Sequence, residues 1–241
     1  MKTEFHYKKL ASLTLVVLLG ILAGLLLWGG IVRAPEWLWR MSGKLIEHPT
    51  YLIYLPDGYQ PRKPYPLVFA LSPGADAFSM ISVWASVADK HHWIVAASKE
   101  SRNDVEFDLV LQQVEAELDD VERNYTIEPD RVIFTGLSGG GMVAHAFSRF
   151  YPDRVRAIII NTGMMEESFK TDDYPEGKWA VFLASPTDFR YQEMHRDRNF
   201  LEAHHWKTTW IEFSGGHMIA PVTIYQEAAD WLEVNIPKYS K

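Results

Sequence analysis

"RVIFTGLSGGGMVAHAF", residues 131–147, sets an apolar run, a glycine-flanked serine and a helix-periodic segment in direct succession. That order predicts a buried strand, a tight turn and a helix. Gly136 and Gly140 bracket Ser138 in a G-x-S-x-G pattern. In this setting the pattern presents a serine hydroxyl at the carboxyl end of a sheet, and the small neighbours leave room for strained backbone and for substrate. A helix beginning at Gly139 aims backbone N–H groups at a developing oxyanion, which makes Gly139 an expected oxyanion donor. Phosphate-binding loops also use glycines, but residues 136–143 lack the lysine that G-x-x-x-x-G-K-[ST] places at the phosphates. The remaining alternative is a serine in an ordinary glycine turn, and other parts of the chain must decide.

Apolar runs recur at residues 51–56, 66–72, 93–98, 131–136, 157–162, 179–185 and 208–213, with the length and β-branched or aromatic content of buried strands. Between them lie helical patterns near 78–91, 103–124, 139–150, 190–204 and 220–234. In the second, Val105, Leu109, Val114, Leu118 and Val121 form the expected apolar stripe, with acidic residues facing water. Pro152 ends the helix after the serine. The alternation predicts the α/β class, a mainly parallel sheet flanked by helices.

A serine nucleophile needs a base to take its proton. His217, in "FSGGHMIAP" (residues 213–221), follows the last strand and precedes the last helix. His91, His92, His204 and His205 fall at or near helix ends and read as surface or capping groups, with no spacing that suggests a metal site. The imidazole in turn needs a carboxylate on its other nitrogen. Asp188 follows the penultimate strand and completes the order Ser, Asp, His; it would also serve as a helix cap. Asp172 and Asp173 sit in a polar excursion, and Asp197 in an expected helix. For the second oxyanion donor, "SPGADA" (residues 72–77) offers the N–H of Ala75, with Gly74 permitting a close turn; Pro73 has no N–H to give. A plain strand-exit turn is the alternative there.

With 241 residues and 47% hydrophobic content, the chain suits one domain of roughly 200 residues behind a separate N-terminal stretch. A net charge of −7 argues against nucleic acid as partner, and the absence of Cys excludes disulfides and thiol chemistry. Residues 10–32 carry no charge and are long enough to cross a bilayer as a helix. The expected organisation is a cytoplasmic tail at 1–9, a transmembrane signal anchor in the lipid bilayer at 10–32, a linker at 33–47 and the catalytic domain at 48–241. A cleaved signal peptide ending at Ala34 is the competing reading, disfavoured by the length of the apolar run and by Pro35. Lys2, Lys8 and Lys9 favour export of the C-terminal part to the extracytoplasmic face, while Arg33, Arg40 and Lys44 work against it. Trp28, Trp37 and Trp39 suit either a membrane interface or packing on the domain.

Taken together, "YLIYLPDGY", "YPLVFALSPG", "GLSGGGMVA", "SPTDFRY" and "GGHMIAP" resemble the α/β-hydrolase superfamily, particularly compact esterases related to polyhydroxybutyrate depolymerases and feruloyl or acetylxylan esterases. The resemblance covers most of residues 48–235. It implies the α/β-hydrolase fold without a large lid, with Ser138 as nucleophile, His217 as general base and acid, and Asp188 as its partner. It also implies an ester substrate, small or polymer-attached, and neither metal nor organic cofactor. Pro73 departs from the family, which often has histidine there, and residues 161–179 form the main excursion, expected to build a small rim. A serine peptidase of the same superfamily and a tethered, non-catalytic binding protein are the competing functions.

Overall fold

The computed structural model describes residues 36–237. The expected anchor at 10–32 and its cytoplasmic tail lie outside the described residues, and no described helix is long and apolar enough to cross a membrane. The chain divides after Leu45. In the first unit residues 36–41 are helical (α1), with an ion pair between Glu36 and Arg40 and with Trp37, Leu38 and Met41 exposed. The stretch expected to be a linker at 33–47 thus holds a helix and, at its end, strand β1 (Leu45–Glu47). Leu45 is buried, and Ile46 packs against the core.

From Ile46 onward the chain alternates strand and helix. β2 (Tyr51–Tyr54), β3 (Tyr65–Leu71), α2 (Ala77–His91), β4 (Ile94–Ser98), α3 (Phe107–Asn124), β5 (Ile127–Leu137) and α4 (Gly139–Phe150) lead into β6 (Ala157–Asn161), β7 (Trp179–Ala184), α5 (Tyr191–Ala203), β8 (Lys207–Glu212) and α6 (Val222–Asn235). The strands form one 8-stranded sheet ordered β1-β2-β4-β3-β5-β6-β7-β8. β2 runs antiparallel to β4; every pairing from β4 to β8 is parallel.

Alternate residues of each strand serve opposite faces. Leu67, Phe69 and Leu71 of β3 join a cluster with Val114 of α3 and Phe147 of α4. Phe69 stacks on Phe134 at 5.1 Å, and Phe134 on Phe147 at 4.5 Å. The intervening Val68 and Ala70 are also fully buried; α2 packs on β3 and meets α6 through Trp84 and Tyr225 at 5.1 Å. Each fully buried side chain of this size contributes roughly 1.5–3 kcal/mol.

The stripe of α3 differs from the sequence expectation. The helix starts at Phe107, so Val105 precedes it, and Leu109 is exposed; Val110, Leu111, Val114, Leu118 and Val121 turn inward, together with Glu117. Val110, Val114, Leu118 and Val121 keep the helical spacing of three and four residues, whereas Leu109 stands five residues before Val114 and falls off that face.

Strand order places the site. From β3 the chain moves outward to β4, then returns to the other side of β3 as β5. The connections after β3 and β5 therefore diverge, and a crevice opens at the carboxyl ends of these two strands. The turn 72–76 leaves β3 there, and Ser138 leaves β5.

Candidate active site

Ser138 stands between the end of β5 and the start of α4 with φ 53° and ψ −118°. A side chain other than glycine pays for such backbone, so the surroundings must impose it. They do so by close packing. A Cβ on Gly136 would lie 2.1 Å from the carbonyl of Gly140, and one on Gly140 would lie 2.5 Å from Leu71 O. Strand end, helix start and β3 can approach this closely only because both positions lack a side chain. The N–H of Ser138 donates to Asn161 O at 2.9 Å, tying the elbow to β6.

His217 lies in the loop after β8, and Asp188 in the turn after β7. The Asp188 side chain is fully buried, and its Oδ2 lies 2.7 Å from His217 Nδ1. A carboxylate can only accept, so Nδ1 carries the proton and Nε2 is left as acceptor. Ser138 Oγ, 2.8 Å from Nε2, donates to it. Asp188 Oδ1 accepts from Arg190 N at 2.6 Å, so both carboxylate oxygens are engaged. The partner expectation for Asp188 is met, whereas the cap expectation is not: Arg190 stands at the N-cap of α5, no side chain caps that helix, and Asp188 Oδ1 closes the turn just before it.

The competing residues lie elsewhere. Asp197 is buried against Lys170 Nζ at 3.0 Å and Met165 N at 2.8 Å; Asp173 pairs with Arg149. His91 faces Asp230 and Gln226, and His204 Nδ1 lies 2.9 Å from Phe200 O. His145, on α4, is fully buried near Phe182; burial, with a smaller push from the Lys170 charge, lowers its pKa to about 3 and keeps it neutral. No group of His and acidic residues able to hold a metal ion occurs among the described residues.

The expected oxyanion donor Ala75 requires correction. Its N–H donates to Ser101 O at 3.0 Å, one of two bonds that pair the turn 73–75 with residues 101–103; the other runs from Asn103 N to Pro73 O at 3.0 Å. An amide already spent on a carbonyl offers little to an oxyanion. Gly74, midway between these two bonds, has an N–H without a partner among the described residues. The N–H of Gly139, in the first turn of α4, has no partner within its helix either.

Asn161 carries no motif, and the sequence gives no sign of its part. Beyond the bond from Ser138, its Oδ1 accepts from Ala220 N and Tyr225 OH, both at 2.8 Å, and its Nδ2 donates to Met218 O at 3.1 Å. Gly216 N donates to Ser185 Oγ at 2.9 Å. The His217 loop is therefore held on both sides of the imidazole.

A cavity of about 340 Å³ opens beside Ser138. Val105, Phe107, Met142 and Met164 give it an apolar lining, and Arg102, Asn103 and Arg190 supply the polar wall. The excursion at 161–179 supplies Thr162, Gly163 and Met164 to the wall; Met165, Phe169 and Tyr174 root it in the core.

No family model matches the sequence, and no curated protein matches it. Solved structures do. Esterase PE8 aligns with a TM-score of 0.63 at 16% identity, over 79% of this chain and 99% of that one. The carboxylesterase of Bacillus cereus gives 0.61 at 12% identity, over 82% and 98%. FphF, a fluorophosphonate-binding serine hydrolase of Staphylococcus aureus, gives 0.56 at 12% identity, over 78% and 96%. At such identities the likeness speaks for the fold, which is the α/β-hydrolase fold.

Proposed function

We propose that the chain is a membrane-anchored serine hydrolase of carboxylic esters that works through an acyl-enzyme on Ser138. The observation that carries this reading is the relay Ser138 Oγ, His217 Nε2 and Nδ1, Asp188 Oδ2, with links of 2.8 and 2.7 Å, on a backbone elbow held at positive φ. Neighbours of the same fold named as carboxylesterases and esterases support it.

In this mechanism His217 Nε2 takes the proton of Ser138 as Oγ attacks the ester carbonyl. Asp188 stabilises the imidazolium and fixes its orientation. The tetrahedral oxyanion faces the N–H groups of Gly139 and Gly74, which are charge-stabilising donors that need no reorganisation. The imidazolium then passes its proton to the departing alcohol oxygen, leaving the acyl group on Oγ. Water, deprotonated by His217, attacks that acyl carbonyl, and the acid product leaves as Ser138 regains its proton.

Exposure of the full chain to a fluorophosphonate, followed by intact-mass measurement and peptide mapping, tests the assignment. A single adduct at Ser138, absent from Ser138→Ala and His217→Ala, is the expected result. No adduct on folded parent protein would overturn it.

The anchor belongs to the same proposal. The uncharged run 10–32 behind Lys2, Lys8 and Lys9 supports it, as do the exposed Trp37, Leu38 and Met41 just beyond. The full chain should remain with membranes through alkaline extraction, and residues 35–241 should not. Release of the full chain into the wash would refute the anchor.

A further inference from the structure

The chain as a whole is acidic, with 31 Asp and Glu against 24 Lys and Arg. The cavity beside Ser138 has the opposite character. Arg102 and Arg190 line it, and no Asp or Glu does. We infer that this cavity is an acyl subsite for chains ending in a carboxylate, so that the substrates are half-esters of dicarboxylic acids. The inference rests on the ester-hydrolase reading above and names the substrate class for it.

Both guanidinium groups retain donors. Arg190 engages Glu193 through Nη1 at 2.9 Å and lies 5.1 Å from the centre of the Phe189 ring, leaving Nε and Nη2 without a hydrogen-bond partner among the described residues. Arg102 meets Asp104 only at Nε, at 3.5 Å. Neither acidic partner lines the cavity. Guanidinium N–H groups set around a carboxylate make short, charge-assisted bonds, often in pairs.

The position of Arg102 is fixed by backbone pairing. The bridge between Gly74 and Arg102, closed by the bonds from Ala75 N and Asn103 N, fastens the loop 101–103 to the turn after β3. The same pairing lays the Asn103 amide so close to α4 that a Cβ on Gly139 would fall 1.9 Å from Asn103 Oδ1. The turn that offers Gly74 N–H to the oxyanion therefore also holds a cation on the cavity wall.

The side of the ester follows from the proton path. His217 Nε2 must reach the leaving oxygen, so the alcohol portion lies on the imidazole side. Phe189, 68% exposed with its ring 4.5 Å from that of His217, and the half-exposed Met218 give that side an apolar platform. Neither His217 nor Asp188 lines the cavity. The cavity is thus left for the acyl chain, whose far end meets Arg102 and Arg190.

The test compares para-nitrophenyl valerate with mono-para-nitrophenyl glutarate, esters of the same acyl length that differ in the terminal carboxylate. The full chain, Arg102→Gln, Arg190→Gln and the double variant are assayed, and the ratio of kcat/KM for glutarate over valerate is read within each protein. Because it is a ratio, it is unaffected by the fraction of each preparation that folds. The expected result is a ratio above one in the parent that falls roughly tenfold to a hundredfold in the double variant, the range for hydrogen bonds to a charged group. A ratio at or below one in the parent, or an unchanged ratio in the double variant, would overturn the inference. Preference for a carboxylate on the leaving group, read with the valerate ester of para-hydroxybenzoate and lost in the same variants, would overturn the acyl-side placement. Valerate turnover without glutarate preference defeats this inference alone; no turnover of any ester together with no fluorophosphonate adduct at Ser138 defeats the hydrolase reading beneath it.

Discussion

Replacing Asp188 by Asn keeps the shape of the side chain and removes one acceptor, and the structure says what that costs. In the parent two N–H groups, His217 Nδ1–H at 2.7 Å and Arg190 N–H at 2.6 Å, point at the two oxygens of a fully buried carboxylate. An amide has only one such oxygen. If that oxygen turns to His217, the NH2 opposes the Arg190 N–H and leaves a buried donor unsatisfied, at about 1–3 kcal/mol. If it turns to Arg190, the NH2 donates to Nδ1, which must give up its proton, and the ring then carries hydrogen on Nε2. All groups are satisfied in this second arrangement, but Nε2 faces Ser138 as a donor and cannot accept its proton. The negative charge that stabilises the imidazolium is lost in either case. We expect kcat on a simple nitrophenyl ester to fall a thousandfold to ten-thousandfold, roughly 4–5.5 kcal/mol of barrier. Thermal unfolding of Asp188→Asn should still be cooperative, separating this loss from misfolding. A kcat within tenfold of the parent would refute the assigned role of Asp188.

Ser138→Ala should abolish ester turnover and fluorophosphonate labelling while preserving the circular dichroism spectrum; residual turnover at the parent rate would exclude Ser138 as nucleophile. Asn161→Ala should cost about 2–4 kcal/mol, because the buried Tyr225 OH and Ala220 N–H lose their shared acceptor, and it should also depress kcat by loosening the His217 loop. Denaturant unfolding reads the first effect, and a loss under about 1 kcal/mol would show that the loop is held by other means. Glu117, buried on α3 with neither carboxyl oxygen hydrogen-bonded among the described residues, has its pKa raised to about 8, chiefly by loss of hydration, with the nearby Ser98 and Lys99 only partly countering it. The folded state therefore keeps a proton that the unfolded chain releases near its ordinary carboxyl pKa, so stability is greatest below that point and declines as pH rises to about 8. At about 1.36 kcal/mol per unit the decline is at most roughly 5 kcal/mol, and Glu117→Gln should lack it; parallel unfolding-versus-pH curves for parent and variant would contradict the assignment.

The strands and the elbow were legible because their signals are local. A buried strand shows as an apolar run, and the glycines at 136 and 140 stand beside Ser138 in one motif, although the backbone that crowds Gly140 is that of Leu71 on β3. His217 and Asp188 were legible through chain order, since in this topology successive parallel strands deliver their loops to one edge. Ala75 was misread because its N–H is captured by Ser101, a pairing of two loops 26 positions apart that no local pattern announces. Leu109 was misplaced because it stands five residues before Val114, off the spacing of three and four that keeps Val110, Val114, Leu118 and Val121 on one face, and Val105 because the helix starts only at Phe107. Asn161 escaped notice for a related reason. Its four side-chain partners include residues near 220, and its value lies in satisfying groups that meet only after folding. Arg102 and Arg190 were invisible as a pair until the cavity existed to bring them together.

The docking of α6 has a consequence in time. A chain made from its N-terminus acquires Ser138 well before His217, and the imidazole takes its place only once β8 has joined the edge of the sheet. The helix that follows must then reach back to far earlier elements: Asp230 to Lys90, Glu233 to Trp93 Nε1 and Arg131, Tyr225 to Trp84. A nascent or truncated chain ending before these contacts carries a nucleophile with no base. It stays inert toward esters while it is being made, and the pair of Ser138 with His217 is complete only when the last segment has closed the fold.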